Sequence, residues 1–172
     1  MLLDQQVAME TAFAGPLKIQ ERTGSMDAGA IAHQDPDDFA AAFSQSPAVH
    51  RYPGSMAGRV QALCAAIEQD WGGKAENIWT QGDPDGAEIL KRLNALPGFG
   101  EQKAKIFLAL LGKRQGVTAT GWREAAGAYG EKDSYRSVAD IVDPESLLKV
   151  RATKQAAKAA AKKAPAKGGG GA

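Results

Sequence analysis

The sequence predicts an all-helical body, residues 1–148, followed by a basic tail, residues 149–172. Apolar residues recur at intervals of three and four along several segments, which is the spacing of one buried helix face. Glycine and proline separate these segments, and no stretch alternates apolar and polar residues for long enough to predict a β-strand. The 172 residues are 44% hydrophobic and 24% charged, which is typical of a folded domain rather than a disordered chain.

Four helices are predicted in the first half of the chain from apolar spacing, caps and Gly/Pro breaks. They are residues 2–13, ended by Gly15-Pro16; a short helix capped by Ser25 that runs through Ile31; a helix capped by Asp35; and a long helix capped by Ser55. The long helix is closed by Gly72-Gly73, and its apolar side chains are spaced for one buried stripe: Val60, Leu63, Cys64, Ile67 and Trp71.

The second half of the chain predicts four more helices around a sharp break at Leu96–Gly100. They are a helix capped by Asp83-Pro84 with Ala87, Leu90 and Leu93 on one face; a helix from Glu101 to Leu111; a short helix capped by Thr120 that contains Trp122; and a last helix from Asp143-Pro144. Residues 127–135 read as a loop. The last helix runs through Ala/Lys repeats to Pro165, and residues 168–171 are all glycine, as in a flexible linker.

The first predicted helix begins abruptly, because Leu2 and Leu3 are apolar and no cap precedes them. A core helix normally begins with exposed, polar sequence. Two alternatives follow: either this helix starts abruptly, or an upstream helix belongs to the native fold.

The break at Leu96–Gly100 has the composition of a phosphate-binding turn. Pro97 can stop the first helix, and the glycines permit a tight turn. The amides of Gly98 and Gly100 and the start of the next helix would point outward, where free donors and the helix dipole favour an anion. Lys103 and Lys105 add positive charge in the first turn. This arrangement predicts a contact with the DNA backbone that does not depend on base sequence.

The charge distribution also points to a polyanionic partner. The tail carries seven basic residues and no acid, whereas residues 1–148 carry all 20 acids against 14 basic residues. A body with a net charge of −6 is therefore joined to a tail with a net charge of +7. Such a tail binds DNA by releasing counterions, without sequence preference.

Three segments together resemble the helix-hairpin-helix/Gly-Pro-Asp DNA glycosylase superfamily, which includes endonuclease III and adenine glycosylase. Leu96–Gly100 through Ala104 is similar to the family's hairpin. Residues 3–7 resemble the segment where a glutamine lies against DNA, and residues 50–67 resemble the loop and helix that precede the hairpin. The resemblance covers residues 2–112 in order. It implies a helix upstream of the first predicted one.

The resemblance implies contacts with double-stranded, damaged DNA. The residues expected to contact DNA are Gln5, Gln6, Tyr52, Gly98, Gly100, Gln102, Lys103 and Lys105. Hairpin carbonyls in such proteins can hold a monovalent cation, Na⁺ or K⁺, and the matching positions are Asn94, Leu96 and Phe99. Trp122 is a candidate wall for a flipped base or a core side chain. The family's four-cysteine iron–sulfur cluster is excluded, because Cys64 is the only cysteine.

The family's catalytic groups are the least well matched. The lysine that forms a Schiff base in bifunctional members aligns with Gln102, and a carboxamide is no amine nucleophile. The catalytic aspartate aligns with Thr120 or Gly121, so no carboxylate stands there. Glu124, Asp133 and Asp140 are candidate substitutes, each also interpretable as a surface acid or a helix cap.

The resemblance implies a DNA-binding base-excision repair protein of the glycosylase type that, if it is active, releases bases without cutting the strand. A non-catalytic module that senses damaged DNA on the same fold is the first alternative, and an RNA- or protein-binding helical domain is the second. The absence of a long apolar run and of a secretory signal predicts no membrane partner. We expect a cytoplasmic, nucleoid-associated monomer.

Overall fold

A computed structural model describes residues 1–163, and all regular structure within them is helical, with no β-strand. The predicted all-α class is confirmed for this part of the chain. The helices are α1 (Met9–Thr23), α2 (Ala28–Ala32), α3 (Pro36–Ser44), α4 (Pro53–Trp71), α5 (Asn77–Thr80), α6 (Gly86–Asn94), α7 (Glu101–Arg114), α8 (Trp122–Ala126) and α9 (Pro144–Lys163). Two 3₁₀ turns, Gly127–Tyr129 and Val138–Asp140, lie between α8 and α9. None of the helices in residues 1–163 combines the length and apolarity that crossing a membrane requires.

Two hydrophobic clusters form the core. One joins the N-terminal segment to α1–α4 and contains Leu2, Leu3, Phe39, Phe43 and Met56. The other joins α5–α8 and is centred on α6 and α7, with Ile89, Leu93, Leu108, Leu111 and Trp122. Leu63 of α4 packs against both clusters, so the longest helix of the body connects the two halves.

The predicted first helix is wrong in position. Residues 1–8 form turns and an extended entry, and α1 begins at Met9 and continues through Gly15 and Pro16 to Thr23. Leu2 and Leu3 are buried, and Leu3 packs so closely on Gly15 that a Cβ there would collide with it. The glycine therefore serves this close packing rather than ending the helix.

Four predicted caps are also wrong, because the capping residue lies elsewhere. Asp27, not Ser25, caps α2 through its bond from the Ala30 amide, and Ser25 instead accepts from the Asp27 amide. Asp85, not Asp83, caps α6, because the Asp85 carboxylate accepts from the Glu88 amide at 2.8 Å. Helix α4 already starts at Pro53, so Ser55 lies inside it. The N-cap of α8 is Gly121, not Thr120.

Other elements follow the sequence more closely. The Asp35 carboxylate accepts from the Asp37 and Asp38 amides, as predicted for the cap of α3. In α4, Cys64 is buried and the rest of the predicted stripe is partly buried. On α6, Ile89 and Leu93 form the buried face and Leu90 is half-buried, whereas Ala87 is exposed against expectation.

The helix after the break is longer than predicted. It passes through Gly112 to Arg114. The indole of Trp122 lies against Gly112, where a Cβ would come within 2.5 Å of ring atoms, so the glycine serves this packing. The short helix α5 and the 3₁₀ turn at Gly127–Tyr129 were not predicted. The predicted boundary at residue 149 falls inside α9, and the predicted features at Pro165 and residues 168–171 lie outside the described residues.

Candidate nucleic-acid interface

The turn between α6 and α7 is held in place by apolar anchors. Leu96 and Phe99 are buried, and the Phe99 amide donates to the Leu96 carbonyl at 3.0 Å. Gly98 has a left-handed φ of 78°, and a Cβ there would lie 2.5 Å from Leu2 Cδ1. Glycine is therefore required at 98 by both backbone conformation and packing. Leu96–Gly100 thus separates two helices, α6 and α7, at the predicted break.

The backbone donors of this turn are open. Within the described residues, the amides of Gly98, Gly100, Glu101, Gln102 and Lys103 donate to no acceptor. Gly100 is the N-cap of α7, no side chain caps the helix, and the direction of a Cβ at Gly100 faces open space. The amides and the positive end of the α7 dipole together form a surface suited to an anion.

The two predicted lysines of α7 differ in their surroundings. The Lys105 ammonium pairs with Glu101 at 2.6 Å, so part of its charge is already compensated. The Lys103 ammonium donates to the Gly98 carbonyl at 2.9 Å and lies beside the open turn. Burial, and then the nearby Arg59 guanidinium, lower the pKa of Lys103, whereas Asp4 acts in the opposite direction. Lys103 is the stronger candidate for a phosphate contact.

A cleft of about 850 Å³ opens beside this turn, and we call it the α7–α9 cleft. Its walls come from the N-terminal segment, the first turns of α7, the 3₁₀ turn at Gly127–Tyr129, and α9. Its neutral polar side chains are Gln6, Gln102, Tyr129 and Thr153. Its basic side chains are Lys103, Arg136, Lys154 and Lys158. Cationic groups therefore surround a pocket that also has carboxamides and an aromatic ring.

The two N-terminal glutamines have different roles. The Gln5 carbonyl accepts from His50 Nε2 at 2.8 Å, and its side-chain oxygen accepts from Arg59 at 3.1 Å. Gln5 is thus held against the body. Gln6 is exposed, has a left-handed φ of 56°, and lines the α7–α9 cleft.

Tyr52 stands apart from the cleft. Its amide donates to His50 Nδ1 at 3.1 Å, so the other ring nitrogen of His50 carries the proton that is donated to Gln5. The Tyr52 ring is 48% exposed, and the Arg51 guanidinium lies 4.9 Å from its centroid. A cation stacked on an exposed ring can contact DNA, but this pair does not line the cleft.

Gln102 is oriented within the cleft. Its Nε2 donates to the Tyr129 hydroxyl at 2.9 Å, which leaves its side-chain oxygen available to a ligand. Sequence reasoning missed Tyr129, Arg136, Lys154 and Lys158 as cleft residues. They come from three segments that are distant from α7 in sequence, and only the folded chain brings them to Gln102.

The three candidate carboxylates lie outside the α7–α9 cleft. Glu124 is exposed, and Asp133 and Asp140 line a second cleft, of about 510 Å³. Asp140 is buried and its oxygens accept from the Lys113 ammonium at 2.6 Å, the Ser134 hydroxyl, and the backbone amides of Arg136 and Ser137. These bonds hold the Val138–Asp140 turn against α7 and give Asp140 a structural role.

The segment aligned with the family's aspartate also has a packing role. The Thr120 carbonyl accepts from the Gly86 amide at 2.8 Å, and the Thr120 side chain is exposed. Trp122 is buried against Gly112, and the Arg123 guanidinium lies 4.4 Å from the Trp122 ring. The structure therefore places Trp122 in the core, the alternative to a base pocket.

The cation prediction concerns backbone carbonyls of the turn. The Leu96 carbonyl accepts from the Phe99 amide, whereas those of Asn94 and Phe99 accept no hydrogen bond from the described residues and are free to coordinate an ion.

Cys64 is buried on α4, and burial raises the pKa of its thiol to about 11. Within residues 1–163 no three histidine, cysteine, aspartate or glutamate side chains are grouped so as to hold a metal ion.

Comparison with known proteins gives no relative from which a role could be transferred. The chain matches no protein-family model, no curated protein and no solved structure.

Proposed function

We propose that the protein is a DNA-binding base-excision repair protein of the glycosylase type, which releases a damaged base without cutting the strand. The observation that carries the proposal is the position of the α6–α7 turn. Its uncapped amides open directly beside a cationic cleft that contains two glutamines and a tyrosine. A backbone-binding element and a nucleotide-sized pocket thus lie next to each other.

The turn supplies the backbone contact. The open amides of Gly98, Gly100 and the first turn of α7 can donate to phosphate oxygens, and hydrogen bonds to a charged group are each worth roughly 1.5–3 kcal/mol. Lys103 adds a cation at the same place. Because none of these donors reads a base, this contact fixes the position of the strand without selecting its sequence.

The α7–α9 cleft supplies the place for a flipped nucleotide. Its volume of about 850 Å³ falls within the range of small-molecule sites. Gln6 and Gln102 can donate to and accept from a base edge, and the Tyr129 ring offers a stacking surface. Arg136, Lys154 and Lys158 lie where phosphates that flank an extruded base can be neutralised.

The absence of strand cleavage follows from Gln102. At the position where the resembled family places its Schiff-base lysine, the carboxamide is bonded to Tyr129 and cannot form an imine. The proposal also includes a monovalent cation bound by the carbonyls of Asn94, Leu96 and Phe99. It further includes a monomeric protein in the cytoplasm, associated with the nucleoid.

The proposal is tested first by DNA binding, with Lys103→Glu as the decisive variant. Placing an anion beside the open amides should weaken binding of a fluorescent duplex roughly tenfold or more, measured by anisotropy at fixed salt. Lys74→Glu is the matched control, because Lys74 is exposed and does not line the cleft. Circular dichroism must show that both variants are folded. Equal weakening by both variants would mean that the turn is not the contact.

A non-catalytic damage sensor on the same fold is the second candidate. It is favoured by one observation: none of Glu124, Asp133 and Asp140 lines the α7–α9 cleft. A sensor would bind duplexes with a damaged or abasic site more tightly than intact ones and release no base from any of them.

A further inference from the structure

The geometry points to Asp4 as the carboxylate that promotes base release in the α7–α9 cleft. This inference rests on the proposed function and gives it the acid that the three sequence candidates do not provide. Cleavage of a nucleoside bond builds positive charge on the sugar, so the reaction needs a carboxylate beside the bound nucleotide.

Asp4 has the required position. Among the described residues that line the α7–α9 cleft, Asp4 is the one acid, and it shares the cleft with Gln6, Gln102 and Tyr129. Four basic side chains surround the same space. An acid among these cations does not help to bind phosphate, because a carboxylate repels the DNA phosphates that the cations attract. Its position instead suits a group that faces the developing positive charge of the sugar.

The Asp4 carboxylate is also uncommitted. From residues 1–160 its oxygens accept no hydrogen bond, and they make no ion pair within 4.0 Å with the side chains of those residues. Asp140 differs, since structural hydrogen bonds occupy both of its oxygens. Asp27, Asp35 and Asp85 are also committed, as helix caps.

The backbone around Asp4 is held rigidly. The Asp4 amide donates to the Met1 carbonyl at 3.2 Å, and the preceding Leu2 and Leu3 are buried in the core. The following residue, Gln5, is fixed by His50 through its carbonyl and by Arg59 through its side chain. These contacts fix the backbone that carries Asp4 and thereby keep its side chain at the wall of the α7–α9 cleft.

The reaction balances with water as the only co-reactant. The bond between C1′ and the base nitrogen breaks, and the base leaves with the electron pair. Asp4 stabilises the positive charge that forms on C1′ and the ring oxygen. Water then adds its oxygen to C1′, gives a proton to Asp4, and this proton passes through solvent to the departed base. The products are a free base and an abasic sugar with a 1′-hydroxyl.

The test compares Asp4→Asn with wild type in single-turnover base release, using duplexes that each contain one deaminated, oxidised or alkylated base. Loss of a positioned acid or base typically costs about 10²–10⁴ in rate, and we expect a loss of that size. Duplex affinity should stay equal or rise, because the variant removes an anion from a cationic cleft. Asp4→Glu should recover part of the rate. Glu124→Gln and Asp133→Asn, which change acids outside the cleft, should release base at the wild-type rate.

The outcomes separate this inference from the proposed function. If wild type releases a base and Asp4→Asn does so equally fast, Asp4 is not the catalytic group, although the proposed function stands. If Asp4→Asn loses rate and duplex affinity together, its role is structural and the inference fails. If wild type binds duplex but releases no base from any substrate, both the glycosylase activity and the role of Asp4 are overturned.

Discussion

At the scale of single residues, the two glycines of the α6–α7 turn differ in role: Gly98 serves the fold, and Gly100 leaves space for a ligand. Gly98 is needed by the fold, since its φ of 78° and its contact with Leu2 exclude a side chain. Gly100 has a φ of −85° and open space at its Cβ direction, so the fold tolerates a side chain there. The same open space is where the proposed phosphate would lie. Sequence reasoning assigned both glycines to DNA, and the structure separates their roles.

This difference gives a paired prediction. Gly100→Val should leave the fold intact and weaken duplex binding roughly tenfold or more, because the side chain obstructs amide donors that are worth about 1.5–3 kcal/mol each. Gly98→Ala should instead lower the free energy of unfolding by about 1–2 kcal/mol for the left-handed backbone alone, with the Leu2 contact adding to the loss. Urea unfolding and anisotropy measure the two effects. A Gly100→Val protein that is folded and binds normally would exclude the amides as the contact.

At the scale of elements, α9 connects the predicted basic tail to the cleft. Val150 is buried and anchors the helix, and Arg151 pairs with Glu10 of α1. Beyond Arg151, α9 is largely exposed through residue 160, yet Lys154 and Lys158, one turn apart, line the cleft. The part of the tail that the structure describes is therefore a helix joined to the body, not only a flexible extension. Two of its lysines belong to the proposed binding site.

We expect Lys154 and Lys158 to neutralise two phosphates. The double variant Lys154→Gln/Lys158→Gln should weaken duplex binding and reduce the slope of log affinity against log salt by about 1.8, since each phosphate contributes roughly 0.9. Lys74→Gln/Lys132→Gln removes the same charge from exposed positions outside the cleft and should change the slope much less. Titrations at several salt concentrations give both slopes. Identical slopes for the two double variants would place α9 away from the DNA.

The elements also show what the sequence could predict. Apolar spacing identified α3, α4, α6 and α7, because a buried stripe depends only on local periodicity. Helix starts were harder to predict. Ser25, Ser55 and Thr120 had capping chemistry, but the N-caps of α2 and α8 are Asp27 and Gly121, and α4 begins at Pro53. Gly15 and Gly112 lie inside α1 and α7, where Leu3 and Trp122 pack too closely to leave space for a Cβ. Such contacts between distant segments leave no local pattern.

At the scale of the whole molecule, the proposed site is a product of tertiary assembly. Gly98, Gly100, Gln102 and Lys103 could be found in sequence because one short motif contains them. Asp4, Tyr129, Arg136 and the α9 lysines could not, because the cleft joins segments that are more than a hundred residues apart. The charge asymmetry, a body at −6 and a tail at +7, indicated a polyanion but not where it would lie. The proposed function assigns that position to the α7–α9 cleft.

The measurement that tests the central claim most directly is single-turnover incubation of the wild-type protein with end-labelled duplexes, each containing one deaminated, oxidised or alkylated base. The account predicts that at least one substrate gains an alkali-labile abasic site, that the strand stays intact until alkali is added, and that borohydride traps no covalent protein–DNA complex. A strand cut without alkali, or a trapped complex, would contradict release by hydrolysis alone. Tight binding with no abasic site on any substrate would contradict the glycosylase function itself and leave the damage sensor in its place.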